Sequence, residues 1–239
     1  MFQTDPFSLI VLFVGLSLLP FVAMVATSYL KIVVVMSLIR NALGIQSIPP
    51  NMVINALAMI LTFYIMAPVA SESWGIAKAE YAKTQQPAAV QQPNQPNQPS
   101  QPAAQPPGYL PAVDAVGKAA EPFRKFLSNH VPPRERAFFV RTAETLWGKD
   151  GKPAVVDSES FWILLPAFCV SELTKSFQIG FLVYLPFIAI DIIVSNILLA
   201  MGMMMVSPVT ISLPFKLLLF VMVDGWTLLI QGLIRGYII

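Results

Sequence analysis

Apolar residues dominate both ends of this chain, and polar residues collect in its middle. Asp5 and Lys31 are separated by 25 uncharged residues. At about 1.5 Å rise per residue, such a run written as one helix exceeds the roughly 30 Å hydrocarbon core of a bilayer. A second charge-free run extends from Asn41 to Ser71. Its opening, Asn41-Ala42-Leu43-Gly44, predicts a helix end with Gly44 as a left-handed cap. Pro49-Pro50 forbids continuation, so the next helix starts near Asn51 and runs past Pro68. Residues 1–83 are therefore expected to form an apolar helical hairpin.

From Phe161 the chain is apolar again. Ser176–Ile190 carries no charge, and Ile192–Phe215 adds 24 uncharged residues after Asp191. Gly202 and Pro208 bracket a break, which predicts two long helices joined by a tight connection within residues 158–239. Pro166, Pro186 and Pro214 are expected to kink or end helices, leaving backbone groups that need partners. In residues 108–157, Phe123, Phe126 and Leu127 share one helical face. Phe138, Phe139, Thr142 and Leu146 line a second short helix beyond Pro132-Pro133. The expected fold class is all-α: long kinked apolar hairpins flanking a small polar helical region, membrane-associated.

Residues 84–107 stand apart from both patterns. Gln, Pro and Asn fill 17 of these 24 positions and none is charged. So little apolar surface does not offset the entropy of ordering. The segment is expected to be a flexible, extended linker, a proline-motif docking site being the alternative.

Composition changes the picture in one respect, the absence of a water-soluble coat. Charged residues are 12% of the chain against 56% hydrophobic, with mean hydropathy +0.66. Soluble domains carry about 25% charged residues. Membrane residence, or burial in a large assembly, follows. Residues 1–71 hold three charges and residues 161–239 hold six. Net charge is only +2, so no nucleic-acid partner is expected. The single Cys (Cys169) and single His (His130) argue against a zinc site or a Cys/His catalytic pair. No P-loop, nucleophile elbow or HExxH occurs, so neither enzyme activity nor a cofactor is expected. The N-terminal run lacks a basic flank and an obvious cleavage site, which disfavours a cleaved signal. Lys31 and Arg40, with no nearby acid, suggest that the 31–50 connection is cytoplasmic.

Charges inside apolar helices are costly in lipid and face protein or water. Glu172 and Lys175, three apart on one face, are positioned to pair. Asp191, Lys216 and Asp224 are isolated in sequence and need partners elsewhere in the fold or on a neighbouring subunit. They fit either interhelical or intersubunit pairs that set register, or a relay or gating contact. Met201-Gly202-Met203-Met204-Met205 fits a helix–helix tip. Its methionines are either core gap-fillers or, were copies arranged in a ring, a deformable apolar constriction.

LKIVVVMSLIRNALGIQSIPPN, LAMILTFYIMAPV and the long segment from LLPAFCVSELTKSFQIGF through GMMMVSPVTISLPFKLLLFVMVDGW resemble the FliP/SctR (YscR/HrcR/SpaP) family. The likeness covers about residues 7–71 and 117–236. These are core export-apparatus proteins of type III secretion, flagellar and injectisome. The resemblance implies a ring of identical copies, expected to be a pentamer. It implies SctS/FliQ-like, SctT/FliR-like, SctU/FlhB-like and SctV/FlhA-like partners, and unfolded secreted proteins as cargo. It places the chain at the bacterial inner membrane, multi-pass by sequence, with the assembled complex largely on the periplasmic side. It assigns Met203, Met204 and Met205 to a pore gasket. It makes Arg40, Glu172, Lys175, Asp191, Lys216 and Asp224 assembly or gating charges. VSP at Val206–Pro208 and EPFRKFLSNHVPPRERAFF look more like the injectisome branch, with a flagellar export subunit as the alternative. A small-solute or ion transporter is a further alternative, but the apolar halves show no repeat.

Overall fold

The computed structural model describes residues 6–45, 48–85, 116–148 and 154–238. These are helical, with no strand among them. The helices are α1 (Pro6–Val25), α2 (Tyr29–Ala42), α3 (Asn51–Gln85), α4 (Glu121–His130), α5 (Pro133–Trp147), α6 (Phe161–Ala200), α7 (Pro208–Met222) and α8 (Gly225–Arg235). The Gln/Pro-rich linker falls, beyond Gln85, outside the described residues.

The first apolar run is not one helix. It breaks at Ala26–Ser28, and the flanking helices bend by 56°. Thr27 makes the break locally. Its hydroxyl donates to the Ala23 carbonyl at 2.6 Å and accepts the Tyr29 N–H at 3.4 Å. A side chain bonded to the backbone on both sides competes with the helix ladder. The end of α2 follows expectation: Gly44 takes φ +77° and its N–H bonds the Asn41 carbonyl at 3.0 Å. α3 starts at Asn51. α6 continues through Pro166 and Pro186, and α7 through Pro214, so these prolines do not end helices. Each proline removes one ladder bond, and packing across the break sustains the rest.

The chain divides into two compact units, Met1–Met66 with His130–Ile239, and Ala67–Asn129. In the larger unit α2 is central. Ile32, Val35, Met36 and Ile39 recur at helical spacing and are wholly buried. They cluster with Ile54 and Ala58 of α3, Phe187 of α6, Phe220 of α7, and Leu229 and Leu233 of α8. The principal partner of α2 is α6. The two run in the same direction: Cys169 meets Val25, Lys31 meets Glu172, and Gly180 lies against Leu38. A Cβ on Gly180 would run into the Leu38 side chain, so glycine permits this approach. The two apolar ends of the sequence thus build a single body.

In the smaller unit Glu80 accepts Lys83 at 2.8 Å and Lys118 at 3.1 Å. Pro122, Phe126 and Leu127 are its buried apolar face on α4.

By length and hydropathy two helices are able to cross a membrane, over Asn51–Lys83 and Phe161–Ala200. Two bent pairs, α1–α2 and α7–α8, pass the same test together. At 40 residues α6 is about 60 Å long, roughly twice a hydrocarbon core.

Candidate functional site

Three constellations matter, and all lie in the larger unit. The first is the connection between α6 and α7. Gly202 takes φ +72°, a left-handed conformation that turns the chain back after Ala200. The Met203 N–H bonds the Leu198 carbonyl at 2.9 Å, and the Met204 N–H bonds the Gly202 carbonyl at 3.0 Å. Pro208 then opens α7. The methionines sit outside the core, with exposures of 40% at Met203, 80% at Met204 and 101% at Met205. Three adaptable, exposed thioethers therefore crown a hairpin tip.

The second constellation is a buried ionic knot on the α2–α6 seam. Glu172 is fully buried. Its Oε2 lies 3.0 Å from Lys31 Nζ, and its Oε1 lies 2.9 Å from Lys175 Nζ. The Tyr237 hydroxyl donates to Oε2, and the Lys31 ammonium sits 3.7 Å above the Tyr237 ring centroid. Lys175 also donates to the His130 carbonyl at 3.0 Å. The His130 ring lies beside the Tyr237 ring, centroids 5.2 Å apart. Burial, together with the adjacent carboxylate, pushes the Tyr237 phenol up, so it stays a protonated donor. The expected Glu172–Lys175 contact is present, but it is the edge of a larger network. Lys31 and Tyr237 were not among the sequence-derived candidates. Lys31 lies in a helix and is buried, so it no longer serves as a marker of a cytoplasmic loop.

The third constellation joins α6 and α7. Lys216 Nζ lies 2.6 Å from Asp191 Oδ2 and 3.4 Å from the Ala42 carbonyl. Ser212 donates to Asp191 Oδ1 at 2.5 Å. Asp191 and Lys216 thus satisfy each other within one chain, and the lysine ties α7 to the end of α2.

The remaining candidates lie elsewhere. Arg40 donates to the Pro49 carbonyl at 3.3 Å and to the Asn51 side chain, bracing the α2–α3 turn. Asp224 occupies the αL region at φ 52°, ψ 47° between α7 and α8, and accepts the Thr227 hydroxyl at 3.0 Å. Among the described residues no three His, Cys, Asp or Glu side chains converge as a metal site would require.

A helical body with an apolar exterior, a buried ionic knot and a methionine tip defines a membrane-associated helical protein. Comparison with known proteins resolves the class further. Residues 12–233 match the FliP family. Yop proteins translocation protein R of Yersinia pestis is 48% identical over 237 residues, covering 98% of this chain and 97% of that protein. Hypersensitivity response secretion protein HrcR of Ralstonia nicotianae is 46% identical, covering 96% of each. Flagellar biosynthetic protein FliP of Pectobacterium carotovorum is 39% identical, covering 95% of this chain and 77% of that protein. The chain belongs to the FliP family.

Proposed function

We propose that this chain is a pore-forming subunit of a type III protein secretion export gate of the injectisome branch. As a FliP-family member it is a component of a secretion export apparatus, and 48% and 46% identity to the Yersinia and Ralstonia relatives, against 39% to the flagellar one, favours the branch. In this reading, copies of the chain surround a path for unfolded proteins across the bacterial inner membrane. The ring is expected to be a pentamer, joined by the SctS-, SctT-, SctU- and SctV-like components.

The observation that carries the reading is the exposed methionine tip in a family of export proteins. A ring of thioethers offers water few hydrogen bonds, so a narrow constriction dewets and blocks ions. Methionine is unbranched and flexible, so the same ring yields around polypeptides of varied shape. The Asp191–Lys216 pair then holds α6 and α7 in fixed register beneath the tip, and the ionic knot holds α6 on α2. The length of α6 supports a complex that extends beyond the bilayer, where part of its apolar surface is covered by protein.

Electron microscopy of the purified complex, with its detergent belt located, tests this arrangement. The expected result is a ring of copies with residues 203–205 around the axis. Tips pointing outward into the belt would overturn it.

A further inference from the structure

We propose that the larger unit binds an anionic phospholipid, one acyl chain lying in the cavity between α2, α6, α7 and α8 and the phosphate at Arg235. The cavity holds about 480 Å³. Ile39, Val183, Phe187, Phe220, Leu228 and Leu233 line it, and none of the described lining residues has a polar side chain. Water entering such a space finds no hydrogen-bond partners, so hydrocarbon is the matching occupant.

Size selects among hydrocarbon sources. One turn of helix, about 10–12 Å wide and 5.4 Å tall, already fills roughly 420–610 Å³. The cavity therefore takes no more than about one turn of a partner helix, whereas a single methylene chain needs far less width. Gly232 forms part of the wall, and a Cβ built on it meets nothing within 4 Å. Glycine here keeps space open in the wall of the slot.

Charge supplies the second match. Arg235 follows Gly232 by three positions and Leu228 by seven, so it stands on the same face of α8 as the lining. It is exposed and makes no ion pair among the described residues. A guanidinium one turn beyond Gly232 on the lining face of α8, with α7 and α8 a bent pair able to cross a membrane, fits a lipid phosphate above its own chain. The inference is independent of the export reading, since it concerns one chain and not the ring's conduction.

Native mass spectrometry of the purified complex, reconstituted in nanodiscs of phosphatidylglycerol or phosphatidylcholine, tests it. The wild-type complex should retain phosphatidylglycerol in preference to phosphatidylcholine. Gly232→Phe, which fills the slot, should reduce retention at least tenfold, and Arg235→Gln should abolish the preference. Should Gly232→Phe fail to assemble, Leu228→Trp at the exposed rim narrows the same slot and should act alike. A wild-type complex retaining neither lipid, or a filled slot retaining as much, would overturn the proposal. So would a photo-crosslinker at Leu228 that captures a second copy of the chain rather than lipid.

Discussion

Lys31 of α2 and Glu172 of α6 form an ion pair sealed inside the helix seam, 3.0 Å apart and almost wholly buried. Removing one partner strands the other charge away from water. Such losses cost about 3–5 kcal/mol, although a matched apolar replacement of a whole pair is often neutral. Glu172→Gln should therefore lower stability by about that amount. Lys175→Met should cost about 0–1 kcal/mol, because Lys175 reaches solvent. Thermal unfolding of the purified complex in detergent checks the ranking. Equal losses at the two positions would show that Glu172 is held by something other than Lys31 and Tyr237.

Lys216 and Asp191 fix α7 against α6. Lys216→Glu sets two carboxylates face to face where the pair now closes at 2.6 Å. Native-size complex should fall sharply on native gels. The exchange Asp191→Lys with Lys216→Glu should recover part of it, because the pairing partner returns with its sign reversed. Full-strength assembly of the single variant would remove the register role.

Asp224 turns α7 into α8 through a left-handed backbone, and the pair bends by 59°. Short polar side chains tolerate this region and β-branched ones do not. Asp224→Gly should leave the unfolding midpoint near wild type, whereas Asp224→Val should cost about 1–3 kcal/mol. Gly225→Ala should also destabilise, since a Cβ there runs into the Phe220 ring. A Val variant as stable as the Gly variant would show that the turn is not strained.

Much of this architecture was legible in the sequence because glycine, proline and charge punctuate it. Gly44, Asn51, Gly202 and Pro208 marked their turns correctly. The Thr27 break was not legible, because a hydroxyl bonding its own backbone leaves the apolar run intact. Lys31 read as the edge of a loop. Its partner Glu172 lies far away in sequence, and only the parallel packing of α2 on α6 brings them together. The Tyr237 contribution was hidden for the same reason. For Asp191 and Lys216 a signal existed. They stand almost equally far on either side of Met203-Met204, so a hairpin turning there places them opposite. The methionine tip was located by sequence, while its function rests on an assembly that one chain does not contain.

The most direct measurement is ion conductance of membranes carrying the assembled apparatus with Met203, Met204 and Met205 all changed to Ala. These side chains are exposed in the single chain, so folding should survive the change. The account predicts a clear rise in ion leak while substrate export is partly retained, because the path persists and its seal is loosened. Membranes as tight as those carrying the wild-type apparatus would contradict it.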